Sequence, residues 1–242
     1  MLSTAPTTSS SIDLASNKDI FPNQEERPQY HSIRAYGPLL DSVYALRYQS
    51  YSAEKYIEEN ESKRFMDEYD SQPNCTSYLT YYGNKIIGSI RLCAYRPGEE
   101  WNIPVMKIYE KEIAAEVGMD KTFIEANRFV VHPDFQRKGG IQARFSIYKN
   151  IITEADRVNA DCVLAAVREE HVRFYRMVNF APISELKAYR GLKFKTILMA
   201  CFDLDQSREF VLNQTDNRAQ AKHDSLPHNR RGRLSDRAIG AI

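Results

Sequence analysis

The sequence predicts an α+β fold in which helices flank a mixed central sheet. Three observations predict it. Segments in which apolar residues recur every second position alternate along the chain with segments of helical period. The dipeptide Gly83-Asn84 separates two strand-like segments, as in a tight hairpin. A long amphipathic segment joins two apolar strands over residues 122–167, which indicates one parallel βαβ unit.

The elements follow in the order β, α, loop, β-β, α, β, α, β, α, β, β. In the first half we expect a strand (30–36), a helix (38–51), a polar linker to about residue 74, two hairpin strands (76–82 and 85–95) and a helix (104–117). In the second half we expect a strand (122–131), a helix (141–158), a strand (161–167), a helix (168–179) and two closing strands (184–189 and 192–204). The strand 161–167 is apolar almost throughout, as buried central strands are.

The 242 residues carry a net charge of +1 and are 43% hydrophobic. This composition predicts one substantial domain over residues 28–205, preceded by a disordered leader (1–27) and followed by a basic, flexible tail (206–242). The near-neutral charge disfavours a nucleic-acid-binding protein. No apolar run is long enough to span a membrane.

The four cysteines include no C-x-x-C pair and no Cys/His group with zinc spacing. Cys93, Cys162 and Cys201 lie in apolar strand segments, which predicts buried free thiols. The N-terminal residues lack the apolar core of a signal peptide. We therefore expect a reduced, cytoplasmic protein without a metal site.

A strand-to-helix turn carries both glycine and positive charge, in Gln136, Arg137, Lys138, Gly139 and Gly140. The first N–H groups of the following helix have no partners within the helix, and its dipole is positive there. Glycine lets the backbone approach an anion. The turn therefore suits a phosphate, such as that of a phosphopantetheine arm. An ordinary strand–helix connection with exposed cations is the alternative.

The strand before this turn contains an acid and a base, Glu125 and Arg128. In a regular strand they would point to opposite faces, so a shared site needs a bulge, for which Asn127 is a plausible position. We hypothesise that the strand bulges and splays from strand 161–167. A backbone N–H near Val130 would then face a thioester oxygen. A structural ion pair of Glu125 with Arg128 or Arg91 is the alternative.

Arg47 lies on the apolar stripe of its helix, and Arg91 interrupts an apolar strand. A buried arginine is costly unless it is paired. Asp67, Asp70 or a substrate carboxylate could supply the partner. We hypothesise that these four residues form a charged wall around an amine substrate, with bidentate contacts to its carboxylate. A solvated acidic loop is the alternative for the aspartates.

The element order resembles the GCN5-related N-acetyltransferase (GNAT) fold, over about residues 35–205. The motifs resemble the LuxI-type acyl-homoserine-lactone synthases, and most of all their relatives, the long-chain N-acyl amino acid synthases of the FeeM type. The segments that carry this resemblance are "LRYQSY" with Arg47 and Tyr51, "FMDEYD" with Asp67 and Asp70, "GSIRL" with Arg91, "EANRFVV" with Glu125 and Arg128, "HPDFQRKGG" and "HVRFYRMVNF" with Tyr175.

The resemblance implies a GNAT-like acyl-CoA N-acyltransferase fold with a splayed strand pair. It implies transfer of a long acyl chain from an acyl carrier protein or coenzyme A thioester to the α-amine of an amino acid, without a permanently bound cofactor. Glu125 would be the general base, Tyr175 would protonate the leaving thiolate, and Val130 would donate its N–H. The substrate-binding residues would be Arg47, Tyr51, Asp67, Asp70, Arg91 and Arg128. Tyr175 as a core aromatic is the alternative.

Three other functions stay open: an acyl-homoserine-lactone synthase, a small-group acetyltransferase, and an inactive protein that senses acyl chains. Tyr51 stands where the lactone synthases have Phe, and the Trp that follows there is missing, which disfavours the first. Ile141 replaces a small residue of the acetyltransferase turn, which disfavours the second. An acidic acyl carrier protein could be attracted by the basic residues Arg137, Lys138, Arg144 and Lys149.

Overall fold

The computed structural model describes residues 29–136, 140–188 and 193–224, with side chains described as far as residue 215. The expected leader and the basic cluster of the expected tail lie outside the described residues. No helix within the described part of the chain is long and apolar enough to cross a membrane.

An eight-stranded sheet forms the centre of the fold, in the order β1-β2-β3-β4-β5-β8-β6, with β7 also paired to β8. The strands are β1 (Tyr30–Ala35), β2 (Cys75–Tyr82), β3 (Lys85–Tyr95), β4 (Phe123–Val131), β5 (Cys162–Val167), β6 (Ala181–Pro182), β7 (Lys187–Ala188) and β8 (Lys195–Cys201). Among the described strands, only β4 and β5 pair in parallel. The mixed sheet and the hairpin at Gly83-Asn84 are thus confirmed.

In the described part of the chain, six α-helices accompany the sheet: α1 (Leu39–Ala53), α2 (Met106–Glu116), α3 (Pro133–Gln136), α4 (Gly140–Val158), α5 (Val172–Met177) and α6 (Leu204–Asp224). Two 3₁₀ helices, Glu68–Ser71 and Glu169–His171, complete the described helical elements. The two faces of the sheet carry separate apolar clusters. One packs under α4, with Phe145 and Ile151 buried against Ile124, and the other under α2, with Tyr109 against Phe123.

The alternation of side chains along β4 explains why both faces are covered. Ile124 and Ala126 belong to the α4 cluster, whereas Phe123 belongs to the α2 cluster. β5 shows the same alternation, with Val163 under α4 and Leu164 under α2, both fully buried. Burial of each such side chain contributes about 1.5–3 kcal/mol. The two central strands are therefore fixed from both sides, and they determine where the site lies.

The C-terminal part differs from the expected elements in several places. Within the described residues, the expected strand 184–189 is reduced to the two residues of β7. The expected helix 168–179 begins as a 3₁₀ turn and continues as the six-residue α5. Strand β6 is unexpected, because two residues carry no periodic signal. Helix α6 continues past residue 205, where we expected a tail to begin, and buries Ser207 and Val211. The buried start of α6 therefore packs as part of the domain. The division into leader, domain and tail otherwise remains a prediction.

Candidate active site

The parallel pair β4–β5 separates after three residues. Only Phe123–Glu125 pair with Cys162–Leu164, and the rest of β5 pairs with β8 on its other side. A cavity of about 400 Å³, here called the cleft, lies where the two strands diverge and is lined by residues of both. The hypothesised splay is therefore present, and it leaves the outer edge of β4 beyond Glu125 unpaired by β5.

A bulge in β4 accompanies the splay. The β3–β4 register shifts between Ser89 and Arg91, so that Arg128 and Phe129 together oppose Ile90. Arg128 adopts a left-handed φ of +50°, which costs a non-glycine residue about 1 kcal/mol or more. The expected bulge is confirmed, one residue beyond Asn127. It breaks the alternation of the strand and places Arg128 on the wall of the cleft.

Five charged residues meet beside the cleft; we call them the arginine–aspartate cluster: Arg47, Asp67, Asp70, Arg91 and Arg128. Arg91 donates to both carboxylate oxygens of Asp67, at 2.5 and 3.1 Å, and lies 3.1 Å from Oδ2 of Asp70. Arg47 donates to Asp70 at 2.7 Å, and Arg128 to Asp67 at 2.7 Å. The structure thus brings together the four residues of the expected charged wall and adds Arg128.

The loop that carries the two aspartates is held by its own backbone bonds. Asp67 accepts a hydrogen bond from the N–H of Tyr69, and Asp70 accepts one from the N–H of Asp67, each at 3.0 Å. Burial opposes ionisation of Asp67, but its bonds to Arg91 and the charge of Arg128 outweigh burial and hold its pKa well below the ordinary value. The solvated acidic loop, our alternative, is therefore wrong.

The charges of the cluster do not balance. Three guanidinium groups face two carboxylates, which leaves the cluster with a net charge of +1. The side chains of Arg47, Arg91 and Asp70 are at most 1% exposed, whereas that of Arg128 is 14% exposed and lines the cleft. Among the described residues the guanidinium of Arg128 makes one hydrogen bond, to Asp67. It is therefore the group of the cluster that can bind an anion.

Glu125 lies on the α2 side of β4, opposite Cys93 in the β3–β4 ladder. It is 1% exposed, and one carboxylate oxygen accepts the N–H of Val105 at 2.8 Å, while the other has no partner among the described residues. Burial raises the pKa of Glu125. Glu125 is not among the described residues that line the cleft, and no ion pair with Arg91 or Arg128 is found among them.

Tyr51, Val130 and Tyr175 all line the cleft. The N–H of Val130 nevertheless points to β3, because Val130 pairs with Ser89 and His132, two residues later, donates its N–H to Ile87 in the same ladder. The free edge of β4 presents the N–H of Val131 instead, whose carbonyl accepts from Gln136.

Tyr175 is 6% exposed, and its hydroxyl makes no hydrogen bond to the described residues. Burial, and secondly the nearby Tyr51, raise the pKa of Tyr175, so the phenol stays protonated. A protonated hydroxyl without a partner, at the wall of a cleft, is suited to donate a proton or a hydrogen bond.

The glycine turn is only partly described. Gln136 lines the cleft and donates to the carbonyl of Val131 at 3.2 Å. Gly140 begins α4, and a Cβ there would lie 3.0 Å from the carbonyl oxygen of Phe135, which a glycine avoids. The remaining three expected phosphate contacts, Arg137, Lys138 and Gly139, lie outside the described residues.

Arg168 and His171 line the cleft, but the sequence interpretation did not identify them as site residues. Arg144 also lines the cleft, where it was expected only to attract an acidic carrier protein. The guanidinium of Arg168 lies 4.2 Å from the ring centroid of Tyr56, and its Nη2 donates to Nε2 of His171 at 3.1 Å. Burial, and secondly the charge of Arg168, lower the pKa of His171 to about 4. The only available signal was that "REEH" directly follows an apolar strand.

His171 should make the protein sensitive to acid. The unfolded chain binds a proton at His171 below pH about 6.5, whereas the folded protein binds it only near pH 4. Stability is therefore lost as the pH falls between these values. His171→Gln should remove about 1–3 kcal/mol of this loss, measured by urea unfolding at pH 7 and pH 4.5. An unchanged pH dependence in the variant would contradict the assignment.

The overall fold is similar to that of solved acyltransferases. The FeeM structure, an N-acyl amino acid synthase from uncultured soil microbes, is 20% identical with a TM-score of 0.62, and the match covers 78% of this chain and 98% of that chain. The coenzyme A-dependent acyl-homoserine lactone synthase BjaI, solved with S-adenosylmethionine and isopentyl-CoA, is 15% identical with a TM-score of 0.58, covering 78% and 90%.

At these identities the two structures establish the fold, which is the GNAT-like fold expected from the sequence. The protein is an acyltransferase of this fold. More specifically, the chain belongs to the FeeM family of N-acyl amino acid synthases, whose family model matches residues 42–201, more than half of the chain. No curated protein matches the sequence.

Proposed function

We propose that the protein transfers a long-chain acyl group from an acyl carrier protein or coenzyme A thioester to the α-amine of an amino acid. The observation that supports this most is the juxtaposition of an open cleft with the net positive charge of the arginine–aspartate cluster, whose Arg128 lines the cleft. The cleft offers an unpaired strand edge to the donor. The charge at Arg128 offers a partner to the carboxylate of the acceptor.

The donor would lie along β4. Beyond Glu125 the edge of β4 that faces β5 has no strand partner among the described residues, so its N–H and C=O groups can bind the amides of a pantetheine arm. The N–H of Val131, next to Val130, would donate to the thioester oxygen as negative charge develops there. Gln136 and Gly140 would lie towards the phosphate. Arg144 at the cleft would favour an acidic carrier protein, and donor KM should then rise with salt.

The acceptor would enter beside Tyr51 and Arg128, with the buried members of the cluster holding Asp67 in place. Asp67, whose side chain is 21% exposed, is the aspartate able to approach the ammonium, because that of Asp70 is 1% exposed. Glu125 would take the proton of the ammonium through a water molecule, since its carboxylate does not line the cleft. The amine then attacks the thioester carbon, and Tyr175 protonates the departing thiolate.

The test is product analysis with the purified full-length protein. The first reaction contains a long-chain acyl-acyl carrier protein or acyl-CoA and a mixture of the twenty amino acids. The second contains the same acyl donor with S-adenosylmethionine, and the third contains acetyl-CoA with amines. We expect N-acyl amino acids from the first reaction. Lactones from the second, acetylated amines from the third, or no product from any of them would overturn the proposal.

Arg128 should govern the affinity for the acceptor. Replacing it by glutamine removes the positive charge at the cleft and a charge-assisted hydrogen bond, which is worth about 1.5–3 kcal/mol. Arg128→Gln should therefore raise the acceptor KM about 10- to 100-fold, with little change in the donor KM. Arg176→Gln, an exposed arginine on α5 outside the cleft lining, is the control and should change neither constant. Equal KM values for Arg128→Gln and the wild type would reject this role.

A further inference from the structure

Cys75 and Cys93 occupy directly opposite positions in the antiparallel β2–β3 ladder, so their side chains share one face. The adjacent pair is hydrogen-bonded, because Ala94 donates its N–H to the carbonyl of Asn74 at 2.8 Å. Hydrogen-bonded and non-hydrogen-bonded pairs alternate along such a ladder, so the cysteine pair is non-hydrogen-bonded. Its Cα atoms are then about 4.5 Å apart, within the range of roughly 4.4–6.8 Å that a disulfide spans.

We propose that Cys75 and Cys93 form an oxidisable dithiol, which a peroxide converts into a cross-strand disulfide that weakens the acceptor site. Both cysteines are free thiols in the structure. Cys93 is fully buried and Cys75 is half-buried, so the oxidant reaches Cys75 first. Burial and the hydrogen bond with Cys75 raise the pKa of the Cys93 thiol, which gives Cys93 the role of the second, slower partner.

The chemistry balances with one peroxide per disulfide. The sulfur of Cys75, as thiolate, attacks one oxygen of hydrogen peroxide; an S–O bond forms, the O–O bond breaks and hydroxide leaves, to be protonated to water. The sulfur of Cys93 then attacks the sulfur of Cys75; the S–S bond forms, the S–O bond breaks, and the released hydroxide takes the thiol proton of Cys93. Two thiols and one peroxide thus give one disulfide and two waters.

One side chain connects this pair to the arginine–aspartate cluster. Asn127 directs its Nδ2 to the sulfur of Cys93 at 3.7 Å, and its Oδ1 accepts from Nε of Arg91 at 2.8 Å. Arg91 in turn holds both oxygens of Asp67. A disulfide draws the sulfur of Cys93 towards Cys75 and removes the partner of Asn127. The resulting loss of order at Arg91 and Asp67 is the part of the inference that rests on the proposed function.

The other two cysteines provide an internal control. Cys162 on β5 belongs to the apolar cluster under α2, whereas Cys201 on the neighbouring β8 belongs to the cluster under α4. Because their side chains lie on opposite faces of the sheet, they cannot be joined without rebuilding a strand. Oxidation should therefore consume two of the four thiols and leave these two.

The experiment treats the full-length protein with hydrogen peroxide, then counts thiols after denaturation and maps disulfide-linked peptides by mass spectrometry. We expect the count to fall from four to two, with one peptide linking Cys75 to Cys93, and to return to four with dithiothreitol. The variant Cys75→Ser, at the half-buried position, should form no disulfide, whereas the variant Cys162→Ala should still form it. Four remaining thiols, a link to Cys162 or Cys201, or irreversible oxidation of Cys75 alone would overturn the proposal.

Kinetics test the coupling separately. The oxidised protein should show an acceptor KM several-fold higher, with the donor KM unchanged, and dithiothreitol should reverse this. Cys75→Ser should be insensitive to peroxide. An acceptor KM that is unchanged in the disulfide form would refute the coupling to Arg91. If no amino acid is acylated at all, the proposed function fails, while the thiol count still decides whether the disulfide forms.

Discussion

Replacing Arg91 by methionine is expected to lower the free energy of unfolding by about 3–5 kcal/mol. The side chain of Arg91 is 1% exposed and is the only member of the cluster that bonds to both aspartates. Methionine fills much of its volume but leaves Asp70 buried with Arg47 alone and Asp67 with Arg128 alone. In this poorly solvated place Asp67 would lose both hydrogen bonds from Arg91, and Asp70 would lose its ion pair with it. Urea unfolding at pH 7 measures the difference.

An exposed pair provides the comparison. Arg64 donates two hydrogen bonds to Asp41, but the two side chains are 35% and 65% exposed. Arg64→Met should leave the free energy of unfolding almost unchanged, because solvent screens such a pair. If both variants lost the same small free energy, Arg91 would not hold the acceptor site together, and the cluster would have no structural role.

Replacing Glu125 by glutamine is expected to lower kcat about 100-fold or more, the usual contribution of a general base. Glutamine keeps the shape of the side chain, and its amide oxygen can still accept the N–H of Val105. In the wild type, kcat should fall as the pH drops through the pKa of Glu125, because the protonated acid cannot act as a base. Burial raises that pKa, so this fall should begin above the ordinary range of a carboxyl group. The variant should lack this limb of the pH profile.

A second buried glutamate serves as the matched control. Glu154 on α4 is also 1% exposed, but it accepts hydrogen bonds from Tyr78 and Arg157 and does not line the cleft among the described residues. Glu154→Gln should alter stability while keeping kcat and its pH profile. A near-normal turnover of Glu125→Gln across the whole pH range would show that Glu125 has only a positioning role at Val105.

The order of the elements could be predicted because each has a clear period or turn signal. The pairing of Arg47 and Arg91 could also be predicted, since an arginine among apolar residues needs a carboxylate partner. The bulge followed from a conflict within one strand, because Glu125 and Arg128 cannot face one site in a regular ladder. For the two arginines and for the bulge, the sequence places a charged side chain where a regular fold would make it unfavourable. The fold then supplies the partner or the backbone geometry that relieves this.

The remaining features of the site and the core depend on how distant parts of the chain pack together, which no local sequence pattern shows. Arg128 faces the cleft only because its backbone is left-handed. Glu125 faces the start of α2 because β4 keeps its normal alternation of side chains up to the bulge. Arg144 and His171 meet at the cleft from separate elements. The buried turn of α6 carries too few apolar residues to be recognised as part of the core.

The most direct test is a crystal structure with a non-hydrolysable long-chain acyl-pantetheine analogue. The analogue is expected to lie between β4 and β5, with its amides bonded to the free edge of β4 and its carbonyl within hydrogen-bonding distance of the N–H of Val131. An analogue bound elsewhere, with the two strands still separated by an empty cleft or closed by new pairing, would contradict this placement.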